Sequence, residues 1–281
     1  MQSLSADALV LRVTERGASD MLLTLLTAEK GRCYAILKGG HSIHHREAAA
    51  TQPYTWSNFE FYEKNHVRWV KSATALDPFS GIRYDGEKLF LAAYFCEVLY
   101  ELSDEKAPAG EILPLGLNAL HMLSKTKGEN SRIKAAFEMR AAAIAGFAPE
   151  LSHCKDCKGA AGESPYLDVM NGALLCAECL HRRAALTPLP EIEQTGERNV
   201  LCPLTAAAAA ALAYVVDADA KRVFSFRLKD DVSMDLFERA AEAYLLHHLE
   251  RSFETLESYK RLLGFQQQML RSQAKRGEDK Q

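Results

Sequence analysis

The sequence predicts a multi-domain α+β fold. Five short strand patterns fill the first 80 residues, helix formers take over from Asp85, and two closely spaced cysteine pairs sit inside the helical region. With 281 residues, 48% hydrophobic and 25% charged, the chain is long enough to bury a large core and to divide into two or three domains. Net charge is −3, so any grip on a polyanion has to come from a local patch.

The strands follow from apolar runs cut by turn formers. Ala8–Val13 is broken by Gly17-Ala18-Ser19-Asp20, Met21–Thr27 by Glu29-Lys30-Gly31, and Arg32–Lys38 by Gly39-Gly40, which makes a three-strand meander. A polar loop, His41 to Thr51, leads into Tyr54–Tyr62 and Val67–Leu76, both rich in aromatic and β-branched residues. Five strands in residues 1–80 suit a small closed barrel of the OB type, since closure removes exposed sheet edges.

Helical periodicity begins with Leu89–Tyr100, too short to span a bilayer and too apolar for a surface helix. Ile112–Leu123 and Ile133–Ile144 follow as amphipathic helices. Beyond Pro188 and Pro190, helices are expected at Thr205–Val216, Asp219–Phe226 and Met234–Phe253, with Ala206–Ala211 read as a close-packed stretch. The helical domain is thus placed at 81–152 and 185–270, and a polar tail at 271–281 is expected to fray.

Residues 153–184 carry Cys154-x-x-Cys157 and Cys176-x-x-Cys179. Each such turn aims two thiolates at one point, and two turns complete a tetrahedral site for one zinc ion, closed to substrate and therefore structural. Tyr166–Val169 and Gly172–Leu175 are expected to pair as a hairpin between the turns. Disulfides are the alternative for these cysteines. The absence of a signal-like stretch at Met1, and the scatter of Cys33, Cys96 and Cys202, favour a reduced, cytoplasmic chain without a membrane segment. His153 and His181 flank the pairs and are read as outside the ligand set.

Catalytic patterns are missing. There is no phosphate-binding Gly-x-x-x-x-Gly-Lys loop, no Gly-x-Ser-x-Gly elbow and no His-Glu-x-x-His. The deaminase-like triplet His248-Leu249-Glu250 lies after both cysteine pairs and reads as helix surface. His41, His44, His45 and Glu47 form the nearest metal-like cluster outside the cysteines, in a loop where solvated histidines are the expectation.

What remains is a barrel with cations and aromatics. OB barrels hold single strands by lining a groove with Lys and Arg and stacking bases on aromatic faces. The first 80 residues carry nine cations against eight acids, with the cations gathered about the Lys30–Arg32 turn and the Lys38–Arg46 loop. Arg12, Lys30, Arg32, Lys38, Arg46 and Arg68 are the candidate DNA contacts, and Tyr34, Tyr54, Trp56, Phe59 and Tyr62 the aromatic candidates.

The order of parts resembles the bacterial RecO family of recombination mediators, over nearly the whole chain. The resemblance rests on Ala8-Leu9-Val10-Leu11, on Ser19-Asp20 before Leu22–Thr27, on Lys30-Gly31, Lys38-Gly39 and Gln52-Pro53-Tyr54. It continues through Phe137-Glu138-Met139-Arg140, Gly146–Leu151 and Cys154-Lys155-Asp156-Cys157, to Leu256-Glu257-Ser258-Tyr259-Lys260. The cysteines match the zinc-bearing branch.

The resemblance implies a non-enzymatic, nucleoid-associated protein of DNA repair that binds single- and double-stranded DNA and anneals complementary strands. With RecR it would load RecA onto DNA coated by single-strand-binding protein (SSB). The acidic, hydrophobic C-terminal tail of SSB is a further implied partner. Arg132, Lys134 and Arg140, around Ile133 and Phe137 on one helix face, could hold that tail or could be a core stripe with a charged rim. Two departures stand out: histidines replace fixed cations at His41, His44 and His45, favouring DNA affinity that strengthens in mild acid, and Glu257 stands where a basic residue is common. The alternative function is a zinc-ribbon interaction or regulatory protein whose barrel binds protein instead of DNA.

Overall fold

The computed structural model describes residues 3–42, 44–186 and 200–278. The chain packs as two compact units, Met1–Thr126 with Ser252–Gln281, and Lys127–Arg251.

The first unit opens with β1 (Ser3–Arg16), β2 (Asp20–Thr27), β3 (Gly31–Leu37), β4 (Trp56–Lys64) and β5 (Val67–Asp77), closed into a barrel in the order β1-β2-β3-β5-β4. This is the expected OB-like barrel. Alternation drives closure: Val10, Leu23, Leu25, Ala35, Leu37, Phe59 and Phe61 point inward and are buried, with Phe59 and Phe61 stacked at 5.5 Å. Two features leave one end of the barrel open. Ala8 is the first residue of β1 to pair with β2, so Ser3–Asp7 pair only with β4, and the parallel β3–β5 seam closes at a single pair, Ile36 with Trp69.

α1 (Gly86–Glu101) is capped by the Asp85 carboxylate, which accepts from Glu87 N and Lys88 N at 3.0 and 3.2 Å. It buries Leu91, Tyr94, Phe95, Val98 and Leu99, as its sequence predicts, and α2 (Ile112–Lys125) packs on it at Gly116, where a Cβ would lie 2.5 Å from Leu99. α7 (Glu254–Glu278) returns to the same unit, with Phe253 edge-on to Tyr94 at 5.5 Å and Tyr259 buried. Packing therefore splits the helical region expected at 81–152 and 185–270: α1, α2 and α7 stand with the barrel, and the remaining helices with the cysteine region. α7 also continues through the segment expected to fray, because Gln266 to Lys275 contain no Pro or Gly; residues 279–281 lie outside the described residues.

The second unit holds α3 (Asn130–Ile144), α5 (Ala206–Asp217) and α6 (Asp231–Leu249) against a four-stranded sheet ordered β6 (Glu150–Cys154), β8 (Ala173–Leu175), β7 (Tyr166–Asp168), β9 (Leu201–Pro203). The β7–β8 hairpin is the one expected. β6, β9 and α4 (Ala177–Leu186) go beyond the sequence reading. The prolines at 188 and 190 lie outside the described residues.

Two expectations fail for physical reasons. Asp219–Phe226 is not an α-helix but a turn, in which the Asp219 carboxylate accepts from Lys221 N and Arg222 N at 3.0 and 3.1 Å and Arg222 O accepts from the Tyr214 hydroxyl at 2.8 Å, and the chain beyond passes Arg132, which donates to Phe224 O and Phe226 O. The helix expected to reach Phe253 stops at Leu249, where Glu250 takes the left-handed conformation at φ 51°. Among the described residues no helix is long and apolar enough to cross a membrane.

Candidate metal centre and nucleic-acid groove

Cys154 ends β6, Cys157 closes the first turn, Cys176 follows β8 and Cys179 lies in the first turn of α4. Parallel pairing of β6 with β8 brings the turns together, and Lys155 N donates to Leu174 O at 2.8 Å. All four sulfurs lie within 4.8 Å of one another, and Cys157 Sγ is 3.9 Å from Cys176 Sγ. A tetrahedron with metal–sulfur bonds of about 2.3 Å needs sulfurs roughly 3.8 Å apart, so the set fits an ion with little adjustment. The expected ligands are therefore assembled, and these four cysteines are positioned to hold a metal.

The local backbone favours the thiolate at Cys154. Cys176 N donates to Cys154 Sγ at 3.3 Å and Cys179 N to Cys176 Sγ at 3.4 Å. Burial raises the Cys154 pKa, yet the amides of Cys157, Cys176 and Asp156 outweigh it and bring the thiol down to about 6. Arg183 on α4 clamps Asp156 through two hydrogen bonds, one of 2.6 Å, and stands 3.8 Å from buried Asp168, tying helix, first turn and hairpin together. Gly172 makes the hairpin possible: its φ is +58°, and a Cβ there would lie 2.7 Å from the Tyr244 hydroxyl.

His153 hydrogen-bonds Ser152 at 2.7 Å and His181 is exposed, so neither joins the sulfurs. His248 departs from the expected surface position. It packs between Tyr244 and Phe147, at 4.2 and 5.0 Å between centroids, and its Nε2 pairs with Val169 O at 3.0 Å, just past β7.

The barrel cations fall into three groups. Lys30, Arg32 and Arg68 share an open groove of about 540 Å³ with Tyr34, His66 and Lys106. Lys38 and exposed Arg46 stand at the other end of seven-residue β3, about 23 Å away at roughly 3.3 Å per residue. Arg12 lies apart, in a cleft with Glu97, Glu101 and Glu254.

Lys106 had no local signal in the sequence; it reaches the groove because Lys106 N donates to Lys30 O at 3.1 Å and Arg32 N to Asp104 O at 2.9 Å. Gly31 allows that approach, with φ +59° and a would-be Cβ only 2.2 Å from Ala107 O. Arg32 is anchored: it donates to Tyr100 O and lies 4.0 Å over the Tyr100 ring. The hydrogen bond Tyr34 shares with Tyr100 leads in pushing the Tyr34 pKa up to about 12, so that phenol stays neutral. Phe59 is core, while half-buried Tyr62 stacks on Trp69, an aromatic the strand reading passed over.

In the histidine loop, His41 pairs with Glu15 at 3.0 Å and His45 with Glu47 at 3.1 Å. Among the described residues the four cysteines are the one assembled metal-ligand set.

On α3 the expected tail-binding cations turn inward. Lys134, 1% exposed, sits between Glu138 at 3.1 Å, Glu242 at 2.7 Å and Glu238 at 3.6 Å. Burial opposes its charge, but the three carboxylates together hold its pKa above the usual lysine value. Phe137 is fully buried, Arg140 donates to Val216 O, and Arg132 bonds Phe224 O and Glu129. This geometry is the core stripe with a charged rim.

Two family models cover the chain: "Recombination protein O N terminal" matches residues 1–79 and "Recombination protein O C terminal" residues 83–257. The chain belongs to the RecO family. A DNA repair protein RecO from Acetivibrio thermocellus is 28% identical over 262 residues, covering 93% of this chain and 98% of its own length. Those of Anaeromyxobacter dehalogenans and Heliobacterium modesticaldum are 30% and 33% identical, over 86% and 66% of this chain and 90% and 69% of their own. The family match joins barrel and cysteine unit in one DNA repair protein, so the groove and the cysteine set are parts of a single RecO-type architecture.

Proposed function

We propose that this protein is a non-enzymatic recombination mediator that binds DNA through the Lys30–Arg68 groove and anneals strands. With RecR it loads RecA onto SSB-coated single strands, and one structural zinc holds its four cysteines. The observation that carries this reading is three cations, Lys30, Arg68 and Lys106, converging beside aromatic side chains at one end of a closed barrel. Zinc is favoured by a donor set of four cysteine sulfurs within 4.8 Å of one another, the soft ligand set of a structural zinc site.

For the SSB tail, burial restricts contact to the start of α3, where Arg132, Arg227, Leu228 and Met234 line a shallow cavity of about 200 Å³. Glu129 also lines it and pairs with both Arg132 and Arg227, so the cavity offers an acidic, apolar peptide one net positive charge beside Leu228 and Met234. Lys134 and Phe137 support it from within the core.

A second reading, a barrel that binds protein, draws on Glu63 and Glu105 in the same groove. Salt separates the two, because phosphate contacts release counterions and a mixed-charge protein interface does not. Fluorescence-polarisation binding to a single-stranded oligonucleotide at several salt concentrations, with and without RecR, is the test. A steep loss of affinity with salt, plus accelerated annealing, supports the mediator; no binding from a folded, metal-loaded sample overturns it.

A further inference from the structure

Behind the groove the barrel is hollow at its open end. Leu4, Ala6, Cys33 and Phe61 are inward-facing members of the barrel core, yet with Trp56 and Arg68 they line a cavity of about 390 Å³. That size falls in the range of about 300–1,000 Å³ typical of small-molecule sites. The cause is in the sequence: Ala6 and Cys33 are small where a filled barrel would carry Leu or Ile, and β1 outruns β2 by five residues. One edge of Ser3–Asp7 therefore has no strand beside it among the described residues. An unpaired strand edge offers N–H and C=O groups to whatever fills the cavity.

The lining has the parts a flat heteroaromatic ring requires. Half-buried Trp56 and buried Phe61 give aromatic surface, and Asp7 with the free edge gives acceptors and donors. Arg68 lines the cavity beside Cys33 and lies 5.6 Å over the Phe61 ring, at the boundary the cavity shares with the groove. Lys30 and Arg68 line both. A chain whose phosphates lie in the groove thus has a neighbouring hole for one of its bases.

We propose that this end cavity is a nucleobase pocket, which takes one unstacked base of a single strand whose flanking phosphates lie on Lys30, Arg68 and Lys106. The inference rests on the DNA-binding reading above and deepens it. A pocket of this kind favours single strands over duplex, because a paired base has to be extruded before it can enter.

Trp69→Phe leaves Trp56 as the one tryptophan of the full-length chain. That protein is titrated with an oligothymidylate and with the same backbone carrying abasic sites. The expected results are saturable quenching of Trp56 by the base-bearing strand, no quenching by the abasic strand, and about tenfold weaker abasic binding. Ala6→Leu, which fills the cavity from its wall, should lower single-strand affinity by a similar factor and leave duplex affinity unchanged, with metal content and thermal melting reporting the fold. Equal affinity for both strands, with Trp56 emission alike, overturns the pocket while leaving the phosphate groove standing. Failure of both strands to bind overturns the DNA reading itself, and the pocket with it.

Discussion

Lys134 on α3 and Lys30 on the β2–β3 turn carry the same ammonium group in opposite settings. Lys134 has 1% of its side chain exposed and three carboxylates within 3.6 Å; Lys30 stands exposed at the mouth of a groove beside Arg68. The first is committed to holding two helices together, and its charge is invisible to a ligand. The second is uncommitted, so the field it projects is available to phosphate. A cation becomes a binding residue when the surrounding carboxylates leave its charge uncompensated, and that accounting requires the fold.

The largest test of this contrast is Lys134→Ala. It takes the buried ammonium away from three carboxylates, one of them Glu138 with no exposed surface, and should cost about 3–5 kcal/mol in chemical denaturation of the second unit. Pairing it with Glu138→Leu should recover much of that loss, since the penalty comes from the charge left behind. The ion cluster also sets a pH limit. The Lys134 pKa is raised on folding above its ordinary value of 10.5, so its contribution is fully present below that value and fades as pH rises through the folded one. Thermal melts from pH 7 to 10 should show no loss from this group, with the fall confined to stronger alkali.

Next in size is Gly31→Ala. A Cβ at φ +59° meets the carbonyls of Ala107 and Asp104 at 2.2 and 2.4 Å, and backbone atoms cannot swing aside. The expected cost is about 2–4 kcal/mol from strain and overpacking. Because the same contact carries Lys106 into the groove, single-strand affinity should fall too, which separates this variant from one that merely destabilises. Unaltered affinity in a destabilised Gly31→Ala protein would remove Lys106 from the DNA surface.

Charge reversal at exposed Lys30 should leave stability nearly unchanged and weaken single-strand binding by roughly 1 kcal/mol, and Arg68→Gln, which keeps much of the side chain over Phe61, should weaken it by a similar amount. The slope of log affinity against log salt should shrink by about 0.7 per lost phosphate contact. The same substitution at Arg12, which faces Glu97, Glu101 and Glu254, should leave both quantities where they were.

The two candidate sites were unequally legible in the sequence. The metal centre could be read from four residues, because ligation fixes residue type and spacing and each Cys-x-x-Cys turn is local. The barrel was legible because apolar alternation and glycine breaks are local as well. The groove was only half legible: Lys30, Arg32 and Arg68 came from composition, but Lys106 arrives through a backbone bond to a residue 76 positions earlier. The inward turn of Arg132 depends on Phe224, 92 positions away. The break at Glu250 has no glycine or proline to announce it. Lys106 and Arg132 were placed by long-range hydrogen bonds that no local propensity carries.

The smallest effect sharpens the contrast at the far end of β3. Arg46, with 92% of its side chain exposed and Glu47 at 4.0 Å, should tolerate alanine within about 0.5 kcal/mol of stability. Its place some 23 Å from Lys30, at roughly 3.3 Å for each residue of β3, makes its effect on DNA depend on strand length. An oligonucleotide of about four nucleotides, the short end of OB site sizes, should fill the groove without reaching the loop and bind Arg46→Ala as it binds the unaltered protein. A strand several times longer should lose about twofold. Equal losses for both lengths would place the loop cations beside the groove instead of beyond it, and would make the histidine loop part of the primary DNA contact.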